Sequence, residues 1–165
     1  MKDEMTFSDG DYVVYPAHGV GKVVGVEIQH VSGMELKVLV ISFDNDRMKL
    51  RLPVAKAFRS GLRALTDGKE MSKALEILQG KSKIKKTMWS RRAQEYETKI
   101  NSGDPSSIAE VIRDLHRTDE EGEQSYSERQ LYQMAIERLT RELAAVESID
   151  EEQAIGRLQL ALRAA

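Results

Sequence analysis

Residues Lys81 to Arg92 read KSKIKKTMWSRR. Six of them are cations (Lys81, Lys83, Lys85, Lys86, Arg91 and Arg92), none is an acid, and the stretch holds the chain's only tryptophan, Trp89. Cations attract phosphate, and a flat apolar ring beside them can stack on a base or wedge into a base step. The chemistry on offer is therefore the gripping of a polyanion. The same residues also suit a basic loop leading into a helix whose first apolar residue is tryptophan, and a tryptophan heading an apolar stripe is more often core.

Other chemistry is missing from the pattern. His18-Gly19-Val20-Gly21-Lys22 has the flavour of a phosphate loop, but Pro16 stands where its first glycine belongs and no Ser or Thr follows Lys22. Asp44-Asn45-Asp46 opens like a calcium loop, yet Met48 takes a ligand position and Leu50 and Pro53 break the rest. His18, His30 and His116 lack metal-ligand spacing. The carboxylates fall in solvated helices and a loop, without the burial that a catalytic pair needs. The expectation is a protein that is not an enzyme and needs no cofactor and no metal.

With 25 basic against 27 acidic residues and a net charge of −2, the basic block is a local concentration in a near-neutral chain. Residues Asp119 to Glu152 hold eleven acids against three arginines, so charge is segregated along the chain. Nucleic-acid contact should then be confined to a patch, with another interaction supplying address. The absence of cysteine rules out a disulfide framework and a thiolate nucleophile and fits a reducing compartment. No apolar run reaches the length of a membrane span, and the acidic start MKDEMTFSDGD lacks a signal-peptide core. A cytoplasmic location, with no membrane partner, is expected.

The elements that must present the basic stretch fall into two groups. Asp11–Tyr15, Val20–His30, Leu36–Phe43 and Arg47–Leu52 read as strands. Turns at Gly19, Ser32-Gly33 and Asp44-Asn45-Asp46 separate them, with Gly21 and Gly25 as bend or bulge points. Leu36–Phe43 is nearly all apolar and should be covered on both faces. A meander of this kind closes into an SH3- or Tudor-like small barrel. On its last strand Met48, Leu50 and Leu52 point inward, leaving Arg47, Lys49 and Arg51 as an outward row. That row either protects an edge strand against aggregation or offers it to an acidic partner by strand addition. Phe7, Tyr12, Tyr15 and Phe43 could form an aromatic cage, though they alternate as core residues do.

Beyond a connector with helical propensity at Val54–Thr66, broken by Ser60-Gly61, the apolar period becomes helical. Helices are predicted at Glu70–Leu78, at Thr87–Ile100 with the stripe Trp89, Ala93, Tyr96 and Ile100, and at Ser106–Arg117 behind the start signal Asp104-Pro105. A long helix over Ser127–Glu147 and a last one through Leu162, opened by a capping box at Ser148 and Glu151, complete the set. The fold class is α+β, a small barrel followed by a compact bundle of about five helices.

The run Gly10-Asp11-Tyr12-Val13-Val14-Tyr15-Pro16-Ala17-His18-Gly19-Val20-Gly21 resembles the opening of the CarD/CdnL family of bacterial transcription regulators. Trp89-Ser90-Arg91-Arg92, then Ser102-Gly103-Asp104 and Ala109-Glu110-Val111-Ile112-Arg113-Asp114-Leu115, resemble that family's helical domain. The first motif is also similar to the polymerase-binding module of transcription-repair coupling factors. The resemblance covers nearly the whole chain. It implies a Tudor-like RNA polymerase-interacting domain over 1–58 and a helical DNA-binding domain over 59–165. The partners it implies are the β-subunit lobe of RNA polymerase and promoter DNA, met through the minor groove and phosphates at the upstream edge of the bubble. Trp89 becomes the wedge that stabilises the open complex, flanked on DNA by Lys81, Lys83, Lys85, Lys86, Arg91 and Arg92. Arg51 becomes the polymerase contact, with Arg47 and Lys49 taking weight because Gln29 stands where some relatives carry a basic residue. A monomer is expected. The alternative is a free-standing, non-specific nucleic-acid binder.

Overall fold

The computed structural model describes residues 7–43, 47–57, 59–84, 86–117 and 124–164. Lys85, the Asp44-Asn45-Asp46 turn and most of the acidic loop after Asp119 lie outside the described residues. Two compact units divide the chain, Met1–Leu65 and Thr66–Ala165.

In the first unit β1 (Tyr12–Tyr15), β2 (Gly19–Val31), β3 (Met34–Phe43) and β4 (Met48–Pro53) form an antiparallel meander. A short helix α1 (Val54–Ala57) follows, and β5 (Arg63–Ala64) returns to pair with β1, giving the sheet order β4-β3-β2-β1-β5. This is the SH3/Tudor-like unit that the strand pattern predicts. The added strand β5 carries the unit past residue 58 to Leu65. Ser32 and Gly33 both have positive φ (52° and 77°), the backbone of a two-residue hairpin whose twist matches its strands.

Of the two glycines read as bulge points, only Gly25 adjoins one. The register slips between Val23 and Gly25, where Gly10 and Asp11 also bond to Val23. Gly21 pairs regularly with Val13, and its role is space: a Cβ there would sit 2.7 Å from Ile41 and Phe43. Those two side chains join Val13, Val23, Leu39, Ala57 and Leu62 in the core, with Met48, Leu50 and Leu52 packed at its margin. Val38 to Ile41 are buried without a break, as a strand covered on both faces requires.

Among the described residues the second unit has five helices: α2 (Gly68–Leu78), α3 (Trp89–Asn101), α4 (Pro105–Leu115), α5 (Tyr126–Glu147) and α6 (Glu151–Arg163). Their apolar faces meet in one core in which Leu78, Ile100, Ile112, Leu139 and Leu158 are almost wholly buried. Four of the five helices start with a side-chain cap. Asp67, Asp104, Ser125 and Asp150 each accept a backbone N–H from the first turn, at about 1 kcal/mol apiece. The expected capping box at Ser148 and Glu151 is displaced: Asp150 and Gln153 form it. Ser148, at φ 56°, ends α5 in a left-handed conformation and so cannot also open α6.

Candidate functional site

The basic stretch is held at one end by α4. Asp114 is 6% exposed, and its Oδ1 accepts both the backbone N–H of Lys83 (2.9 Å) and Arg113 Nε (2.9 Å). A carboxylate on the buried side of an apolar helix needs such partners, because an unpaired buried charge is costly. The basic run is thus pinned at Lys83, while the side chains of Lys81, Lys83 and Lys86 stay exposed.

At the other end α3 begins with Trp89 itself. Its N-cap, Met88, gives no side-chain hydrogen bond, and no acid lies in its first turn. The backbone N–H groups of Arg91 and Arg92 bond to the Met88 carbonyl, and the positive end of the helix dipole at the head of α3 is left without a neutralising acid of its own first turn. Met88 is 78% exposed and Ile84 is exposed as well, so apolar groups are interleaved with the cations. The sequence carried that signal, because neither residue falls on the apolar stripe of α3.

Trp89 is neither core nor free. It is half-buried against the helical core, with its ring tilted at 51° to Tyr96 and 6.2 Å from it. Its indole N–H donates to Ser127 Oγ of α5 at 3.2 Å. The Arg92 guanidinium lies over both rings, 5.3 Å from the centre of Trp89 and 5.6 Å from that of Tyr96, and donates to Tyr96 Oη at 3.2 Å. Each such cation–ring contact is worth about 0.5–2 kcal/mol. Arg91, by contrast, is exposed. The two adjacent arginines, read alike from sequence, thus have different surroundings.

On the first unit, β4 is an end strand of the sheet, as its charge pattern predicts. Lys49 and Arg51 are exposed on its outer face. Arg47 does not extend their row, which corrects the expected strand: it stands before β4 at φ 50°, a turn backbone that strand alternation does not govern. Arg51 Nε donates to Glu27 Oε1 at 3.2 Å, with both side chains about half exposed (48% and 50%). Gln29 lies two residues along β2 from Glu27. The aromatic residues do not converge on a cage: Phe43 is core, Phe7 and Tyr15 pack against that core, and exposed Tyr12 carries Lys22 5.5 Å over its ring.

Among the described residues no cluster of acids and histidines could hold a metal ion, and no helix is long and apolar enough to cross a membrane.

Two family models match the chain. The CarD-like/TRCF RID domain matches residues 7–66, and the CarD C-terminal domain matches residues 73–159. The chain is 30% identical over 147 residues to YdeB of Bacillus subtilis (strain 168), a protein named as a transcription factor, spanning 89% of this chain and 96% of that one. It is also similar to the solution NMR structure of the 72-residue N-terminal domain of Myxococcus xanthus CarD. That match has 27% identity and a TM-score of 0.32, and covers 38% of this chain and 84% of the other.

Proposed function

We propose, from the premise that this chain belongs to the CarD-like family of transcription factors with an RNA polymerase-interacting domain, that it is a regulator tethered to polymerase that grips promoter DNA beside the melted region. The first unit binds the lobe of the polymerase β subunit through the end strand β4, with Arg51 and Lys49 facing an acidic surface. The helical unit meets DNA at the upstream edge of the bubble. There Lys81, Lys83, Lys86 and Arg91, together with Lys85 of the same run, sit on phosphates, and Trp89 enters the minor groove with Met88 beside it.

The observation that supports this reading most is the position of the only tryptophan. It heads α3, among the described residues the one helix of this unit without a side-chain cap, beside exposed lysines and an exposed arginine. Polymerase binding supplies the address, so the DNA surface needs no base code. Phosphate contacts fix its place, and the ring partly unstacks a base step that is already distorted. Stabilising an intermediate by about 1.4 kcal/mol raises its population about tenfold. One ring–base contact, worth about 1–3 kcal/mol, is enough. The effect is a longer-lived open complex, reached without catalysis or a cofactor.

Pull-down with purified RNA polymerase, followed by the lifetime of open complexes on a promoter fragment, tests the proposal. Trp89→Ala should keep polymerase binding and lose most of the gain in lifetime, whereas Arg51→Glu should weaken polymerase binding itself. Equal loss of both activities in both folded variants would contradict two separate modules. Tight binding to duplex DNA without polymerase at physiological salt would favour the free-standing binder.

A further inference from the structure

We infer that Arg92 is a positioning residue for Trp89: its guanidinium holds the indole in one pose and does not contact phosphate. The inference rests on the reading of Trp89 as the DNA-contacting group and names what keeps that group in place.

Four observations converge on it. Trp89, Arg92 and Tyr96 stand at i, i+3 and i+7 on α3, a spacing that puts all three on one face of the helix. The guanidinium covers both rings at 5.3 and 5.6 Å and is fixed by its bond to Tyr96 Oη. Its Nε is buried and has no hydrogen-bond partner, so the group is turned inward. Among the described residues no carboxylate pairs with it, which leaves the aromatic faces and the Tyr96 hydroxyl as its attractive surroundings. To reach a phosphate, the side chain would have to leave both rings. The neighbouring Arg91, and Lys81, Lys83 and Lys86, have no such commitment and are exposed.

The indole is thereby held from two elements, by Arg92 and Tyr96 of its own helix and by Ser127 of α5 through its N–H. A ring held in place before docking has less freedom to lose on docking. Arginine suits this task because its planar, weakly hydrated cation stacks on aromatic faces in a way an ammonium cannot.

Trp89 is the only tryptophan, so the emission and near-ultraviolet circular dichroism of the full chain report this contact directly. Arg92→Gln should shift the emission to longer wavelength and weaken the near-ultraviolet signal, with far-ultraviolet dichroism unchanged. Arg92→Lys, the more conservative variant, should give a smaller shift in the same direction, and Arg91→Gln none. In the open-complex assay Arg92→Gln should remove most of the lifetime gain that Trp89→Ala removes. The double variant should then be no worse than Trp89→Ala alone, while Arg91→Gln adds its own loss to that of Trp89→Ala. Unchanged emission in folded Arg92→Gln and Arg92→Lys would overturn the inference. So would an Arg92→Gln loss that adds to that of Trp89→Ala, the behaviour of an independent phosphate contact. If Arg92→Gln shifts the emission but Trp89→Ala leaves the lifetime unchanged, the contact stands and the reading of Trp89 on DNA is what fails.

Discussion

Arg51 on the sheet and Arg92 on α3 are both cations assigned to binding surfaces, and their surroundings are opposite. Arg51 pairs with Glu27 in water, each side chain about half exposed. Such a pair contributes about 0–1 kcal/mol, so it can be exchanged for a partner's carboxylate at little cost. Arg92 is turned inward, shared between two rings and a hydroxyl. The first arrangement suits a group that must change partners on docking. The second suits a group that must keep another side chain still. A cation's sequence neighbours alone therefore do not say whether it is a contact or a support.

Predictions follow from pressing on that difference. The largest effect belongs to a buried pair. Asp114→Ala strands Arg113, whose side chain is 10% exposed, and the Lys83 N–H. It should lower the stability of the helical unit by about 3–5 kcal/mol in denaturant titration. Asp114→Asn, which keeps an acceptor for Lys83, should cost less. Next, Arg51→Glu should weaken polymerase binding about tenfold or more, about 1.4 kcal/mol, with the melting temperature unchanged. A drop in melting temperature as large as that of Asp114→Ala would mean that Arg51 is structural and erase the contrast. Glu27→Gln should be smaller still, changing stability by no more than about 1 kcal/mol because the pair it breaks is solvated.

The smallest effect is one of pH. Burial pushes the Glu128 carboxyl up, but hydrogen bonds from Arg117 and from the Ser125 backbone and hydroxyl outweigh it, and its pKa lies below the ordinary 4.5. A depressed carboxyl contributes stability that is complete above the unfolded value and is lost as pH falls through the folded one. The wild-type chain should therefore lose part of its margin over Glu128→Gln as pH drops below about 4.5. Equal acid sensitivity of the two chains would remove Glu128 from the account.

The strands were legible because Val, Ile and Leu alternate or run together between turn residues, and the helices because Asp104-Pro105 and the apolar stripes mark them. What was not legible has local causes. Arg47 fits the alternation of β4 but takes a positive φ in the turn. The two-residue β5 has no period to detect and exists because β1 offers it an edge. Asp150 lies two residues after Ser148, and only the left-handed backbone of Ser148 decides which of them caps α6. The Arg92 contact did leave a trace, since i, i+3 and i+7 from Trp89 to Tyr96 is helical spacing. Reading Arg92 as one more cation in a run concealed it. Asp114 left a similar trace, three residues after buried Val111 on the apolar side of α4.

The central claim is that address and grip reside in different units, with Trp89 carrying the grip. The most direct measurement is open-complex lifetime with saturating Trp89→Ala protein, after pull-down has shown that the variant binds polymerase as the wild type does. The lifetime should fall most of the way to that of polymerase alone, with the phosphate contacts keeping the remainder. A lifetime extended as far as wild type extends it would contradict the claim.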